Sequence, residues 1–155
     1  MEEIKCLRFR LIMKIMEPYF ASKRIKLLHS NYGFIVFTTE KMHERFKNQG
    51  NGQWQDIKDL FYFSLSFNAE NRGNMIELFC YADAPIREAW NEKLAGRGQL
   101  YSRYTKRGFD SFYQLEIIPE RENPALINEN TRKLANDLIW FLDNKIIEIE
   151  NILLN

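Results

Sequence analysis

Leu60-Phe-Tyr-Phe-Ser-Leu-Ser-Phe67 and, after a polar turn, Met75-Ile-Glu-Leu-Phe-Cys-Tyr-Ala82 are the runs whose reading decides the fold. In the first, Phe61, Phe63, Leu65 and Phe67 alternate with Tyr62, Ser64 and Ser66. Successive strand residues point to opposite faces, so this is the period of a strand with one buried face. In the second, Ile76, Leu78 and Cys80 share a face; Glu77 lies on the other, where Phe79 and Tyr81 make the outer surface apolar too. Asn68-Ala-Glu-Asn-Arg-Gly-Asn74 between them has turn composition, since Asn and Gly tolerate the left-handed backbone of a reversal. The pair predicts a β-hairpin at the centre of a sheet.

Working outward, Ile4, Leu7, Leu11, Ile12, Ile15 and Met16 recur at three- and four-residue spacing and predict a helix over 3–17, ended by Pro18. Arg24–Leu28 and Phe34–Thr38 predict a second hairpin around Ser30–Gly33, and Thr39 or Thr38 caps a short helix over 39–46. Asp83-Ala-Pro starts a helix carrying Ile86, Ala89, Trp90 and Leu94. Residues 97–111 are irregular or hold one edge strand, Phe112–Ile118 is a strand, and a long helix runs from about Asn128 to Leu153. The fold class expected is α+β. A mainly antiparallel sheet is covered on one face by the N-terminal and the long C-terminal helices, all in one domain over 1–155.

Composition excludes several classes. Apolar content of 45% and charged content of 28% are ordinary for a globular chain of 155 residues, and no apolar run is long enough to span a membrane. The acidic opening Met1-Glu-Glu does not read as a secretory signal. Cys6 and Cys80 are too few for a disulfide scaffold and read as reduced small apolar residues, so the expected compartment is cytoplasmic. His29 and His43 lie in no metal-binding spacing, no nucleophile elbow or phosphate loop is present, and neither a metal site nor a cofactor is expected. Glu3-Ile-Lys5 resembles half of a restriction-type nuclease site, but it opens a helix where that chemistry needs a strand.

The net charge of +1 hides a basic stretch over 1–27 and another over 96–111, against an acidic C-terminal third. The second basic stretch contains Arg97-Gly-Gln-Leu-Tyr-Ser-Arg-Tyr-Thr-Lys-Arg-Gly-Phe-Asp110. Arg97, Arg103, Lys106 and Arg107 offer cations for phosphates, and Tyr101, Tyr104 and Phe109 offer rings for bases, the composition of a single-stranded nucleic-acid platform. The competing reading has the aromatics anchoring a loop whose arginines meet the acidic last helix. A pI near 7.7 is low for a dedicated nucleic-acid binder. The last helix is longer than a small sheet requires, which leaves Ile146, Ile149, Ile152 and Leu153 as a candidate surface for a protein partner or a second copy.

The order of elements suggests a family. Phe61–Phe67, Met75–Tyr81, Ala89-Trp90 and the Leu134–Leu153 helix together resemble the small α+β domain that follows the catalytic core in some PD-(D/E)XK nuclease-like proteins, over residues 54–155. In that family the domain is accessory and the nuclease residues lie upstream of it. The resemblance implies a non-enzymatic accessory or regulatory module associated with restriction or defence. The functional expectation is a macromolecule-binding module that contacts nucleic acid. The alternative is a protein-binding effector or inhibitor acting through the sheet face or the C-terminal helix. A metal-dependent nuclease with a degenerate site is the third class.

Overall fold

The structure, a computed structural model, describes residues 2–67, 74–97, 100, 104–106, 108–117 and 124–155. The element order is α1 (Glu2–Ser22), β1 (Ile25–Ser30), β2 (Phe34–Thr39), α2 (Glu40–Phe46), β3 (Phe61–Ser66), β4 (Asn74–Tyr81), α3 (Ala84–Leu94), β5 (Tyr104–Lys106), β6 (Phe109–Ile117), α4 (Ile127–Trp140), a π-helical turn (Phe141–Lys145) and α5 (Ile146–Leu154). The six strands form one antiparallel sheet in the order β1-β2-β3-β4-β6-β5. The β3–β4 hairpin lies at its centre in the register Phe61↔Cys80, Phe63↔Leu78, Leu65↔Ile76, as the alternation predicts.

One face of the sheet carries Ile35, Phe37, Phe61, Phe63, Leu65, Ile76, Leu78 and Cys80, and the helices pack onto it. Phe141 reaches its middle, with ring centroids 5.3 Å from Phe63 and 5.9 Å from Tyr113. A π turn makes this possible. An α-helix gains about 100° per residue, so a buried stripe from Ile127 to Leu153 drifts by roughly 80° over its length. The wider turn, closed by Ile146 N–H donating to the Phe141 carbonyl, takes back much of that drift. Asn144 Nδ2 donates to the Trp140 carbonyl at 2.9 Å within it. The last helix is therefore one rod whose stripe stays on the sheet.

Several local expectations change. Pro18 lies inside α1 instead of ending it. A proline there loses one backbone bond, but the last turn buries Phe20 against Phe37 at 6.1 Å, and that contact holds the turn closed. The buried face of α1 is Arg8, Ile12, Met16 and Phe20, so Leu7 and Leu11 turn away from the sheet. In α3, Arg87 is buried and Ile86 exposed, the reverse of the apolar pattern. Asp83 holds the N-cap position without a side-chain cap bond, whereas Thr39 Oγ1 accepts from Met42 N–H at 3.0 Å as expected.

The second face of the sheet differs most from expectation. Tyr62 and Ser64, read as the outward side of β3, are buried. Residues 47–60 fold over them and form a second apolar cluster of Val36, Ile57, Tyr62 and Tyr81, packed with Leu28, Trp54, Phe79 and Phe109. That cover explains why Phe79 and Tyr81 make the outer face of β4 apolar. No helix among the described residues is long and apolar enough to cross a membrane.

Candidate functional site

The first candidate surface lies between α1 and α4. Leu11, Lys14 and Ile15 face Asn128, Arg132 and Asn136 across a cleft of about 670 Å³. Further along, Lys23 Nζ meets Asp143 Oδ1 at 2.8 Å, so the two helices run side by side in the same direction. Residues four apart lie along one inclined ridge of a helix. Leu7 and Tyr19 continue the Leu11–Ile15 ridge, and Trp140 continues Asn128–Arg132–Asn136. These flanking side chains are exposed: Leu7 44%, Tyr19 39% and Trp140 47%, with Ile147 at 51% two turns beyond Trp140. The groove thus has an apolar wall, an amide-rich wall and a cation on each side. Both cations, Lys14 and Arg132, are exposed.

The second is the sheet face under residues 47–60. Trp54 lies stacked on Tyr62 (6.2 Å, 20°) and Tyr81 (6.4 Å, 26°), while His29 and Phe34 meet its ring edge-on at 5.7 and 5.9 Å. Tyr62 and Tyr81 are nearly parallel at 5.4 Å, and Phe109 extends the stack at 4.6 Å from Tyr81. Beside this aromatic area the half-buried Glu77 accepts from Ser111 Oγ at 3.1 Å and Gln114 Nε2 at 3.2 Å. Burial pushes the Tyr62 phenol well above its ordinary pKa, with Tyr81 and the Asp59 carboxylate adding in the same direction.

Two buried or half-buried side-chain pairs tie neighbouring elements of the fold together. His43 Nδ1 lies 2.7 Å from Oδ2 of the buried Asp59, joining α2 to the end of the 47–60 segment. Arg87 Nη1 lies 2.5 Å from Asp110 Oδ1, both nearly buried, and Arg87 Nε donates to the Ala82 carbonyl at 2.9 Å. The Cys80 thiol is pushed up to about 12, first by burial and then by Asp110, with Arg87 acting the other way. Cys6 and Cys80 are both free thiols. Among the described residues no group of three His, Cys, Asp or Glu side chains is placed to hold a metal ion.

The nucleic-acid segment is only partly placed. Arg97 is exposed just past α3. Tyr104 and Lys106 belong to β5, the edge strand beyond β6, with side chains outside the described residues. Tyr101, Arg103 and Arg107 lie outside the described residues altogether. The C-terminal surface is a correction: Ile146, Ile149 and Leu153 are buried in the chain's own core and Ile152 packs against it. The helix spends that stripe on the sheet because the π turn keeps it in phase.

Sequence reading passed over His43 and Trp54. Asp59 is sixteen residues from His43, a separation with no local signature, and Trp54 sits in a segment whose polar residues read only as loop. The second ridge of α1 reads from the sequence as core; Ile15 does pack against it, whereas Leu7 stands exposed. No family model, no curated protein and no solved structure matches the chain.

Proposed function

We propose that the protein is a protein-binding module that takes an acidic amphipathic helix of a partner into the groove between α1 and α4. One observation carries the reading: α1 has more apolar surface than its own core uses. Ile12, Met16 and Phe20 pack on the sheet with Ile15 part-buried beside them, while Leu7 and Tyr19 stand exposed and Leu11 and Ile15 line the cleft. A third helix laid along two such ridges would bury its apolar side between them, the helix-in-groove mode. Lys14 and Arg132 select its charge, because carboxylates on the flanks of the incoming helix meet a cation on either side. An effector or inhibitor role uses this surface without any catalytic group.

Nucleic-acid contact through Arg97, Tyr101, Arg103, Tyr104, Lys106 and Arg107 is the second reading. It is favoured by the exposure of Arg97 and by the edge position of β5. Association with restriction or defence rests on the sequence resemblance alone.

Selection of helical peptides from an unbiased displayed library tests the first reading. The expected outcome is enrichment of acidic amphipathic sequences whose binding falls by about tenfold or more in Arg132→Glu and in Leu11→Asp. Enriched peptides without acidic character, or binding that ignores both substitutions, would refute it. Single- and double-stranded oligonucleotides at low and physiological salt test the second reading. Binding that weakens steeply with salt and is lost when Arg103, Lys106 and Arg107 become Ala assigns that segment to nucleic acid.

A further inference from the structure

β1 is the longer of the two sheet edges, with six residues against three in β5. Glu40 N–H donates to the Arg24 carbonyl at 3.1 Å, which makes those two a bonded antiparallel pair, so Lys26 with Thr38, two residues on, is the next. At the other end Asn31 N–H donates to the Phe34 carbonyl at 2.9 Å, and the bonded pair before it is His29 with Val36. The backbone groups of Ile25, Leu27 and Ser30 therefore point away from β2. No described residue pairs with them.

The side chains along this edge differ between its two faces. Leu27 lies opposite Phe37 and so stands on the helix-covered face, as does Ile25 two residues before it. Ile35, Phe37, Phe63 and Leu65 on that face are wholly buried, whereas Leu27 is 40% exposed and Ile25 half-buried. The helix layer thus leaves Leu27 uncovered. Lys26, opposite Thr38, stands on the other face, exposed and in no ion pair among the described residues. Glu44 of α2, which feels the charge of Lys26, is taken by Lys47 at 2.9 Å.

Charge decides what such an edge accepts. Between Glu17 and Glu40 the chain has no Asp or Glu, but it has Lys23, Arg24 and Lys26. Lys23 meets Asp143, which leaves Arg24 and Lys26 along the strand. A second copy of β1 would set its own Arg24 and Lys26 against this pair with no carboxylate between them. Edge lysines, like the bulge between Leu27 and His29, are devices against such self-pairing. The same cations attract a strand that carries carboxylates.

We propose that β1 is a docking edge for an extended segment of a partner protein in which apolar and acidic residues alternate. The segment adds one strand to the sheet, its backbone bonding to Ile25 and Leu27. Its apolar side chains lie beside Leu27 on the helix-covered face, and its carboxylates lie beside Lys26 on the other. This edge is separate from the α1/α4 groove, and neither surface depends on the other.

A capped peptide of four Val-Glu repeats is the probe, titrated to millimolar concentration into the isotope-labelled full chain and followed by amide NMR. The Ile25 and Leu27 amides are expected to exchange with solvent at least about tenfold more slowly once the peptide is bound. The Lys26 amide, already bonded within the sheet, should not change. Lys26→Glu should weaken binding by about fivefold, and a peptide of four Val-Lys repeats should not bind. Methylating the Val amide nitrogens of the probe blocks an antiparallel added strand, and methylating those of Glu blocks a parallel one, so one of the two loses binding. Ile25 and Leu27 amides left unprotected at millimolar peptide overturn the proposal, as does binding that survives both methylations. Shifts confined to Leu11 and Arg132 would also overturn it, because the peptide would then occupy the α1/α4 groove.

Discussion

Arg87→Met separates the structural use of the Arg87–Asp110 pair from its apparent strength. Both side chains are nearly buried, at 10% and 7% exposure, with a 2.5 Å contact between them. Removing the guanidinium leaves the Asp110 carboxylate uncompensated and deprives the Ala82 carbonyl of its Nε donor. Breaking one side of such a pair costs about 3–5 kcal/mol. For a chain of 155 residues that lowers the melting temperature by roughly 6–20 °C. Replacing both partners, Arg87→Met with Asp110→Leu, removes the stranded charge along with the attraction, so the double variant should recover most of the loss. Urea unfolding of the four members of the cycle measures each term. If the double variant is as unstable as Arg87→Met, the penalty does not come from an uncompensated charge and the reasoning fails. The pair also positions the start of β6, where Phe109 continues the Tyr62–Tyr81 stack and the Gly108 carbonyl accepts from Asn51 Nδ2 at 3.1 Å. Partial loss should therefore show as faster hydrogen exchange across residues 47–60.

Alkaline pH should destabilise the fold. Cys80, raised to about 12 from 9.0, keeps its proton in the native state while the unfolded chain releases it. The native state then binds more protons, and stability falls as pH rises from about 9 to 12; Tyr62, also raised, adds to the loss above about pH 10. Unfolding midpoints that stay flat across this range, or a Cys80 that alkylates as fast as Cys6 in the native protein, would contradict the buried placement. Asp59→Ala leaves His43 without its partner and should cost about 1–3 kcal/mol, with proteolysis near Trp54 accelerated; an unchanged cleavage rate would mean the pair does not hold the segment. Phe141→Ala should cost about 3–5 kcal/mol, because its ring meets Phe37, Phe63 and Tyr113 at the middle of the sheet, and a loss below ~1 kcal/mol in urea unfolding would place the ring elsewhere.

The central hairpin, the Thr39 cap and the helical stretches were legible because each is a short-range pattern. Alternation in Phe61–Phe67 and four-residue spacing in Leu134–Leu153 are set by the geometry of the backbone the residues occupy, and they need no distant partner. The Arg97–Arg107 composition was equally plain, but composition does not say where the side chains stand.

What only the tertiary structure decided is which apolar residues are left over and which polar residues meet. Counting apolar positions on α1 did not reveal that Ile12, Met16 and Phe20 form its buried face, leaving Leu7 and Tyr19 exposed and Leu11 and Ile15 along a cleft. The same limit hid the pairings of His43 with Asp59 and of Arg87 with Asp110, and the insertion of Trp54 between Tyr62 and the rings of His29 and Phe34. The physical reason is the range of the information. Local backbone geometry repeats every two or about 3.6 residues and leaves its period in the chain, whereas a contact between elements depends on the packing of the whole and leaves no period to read.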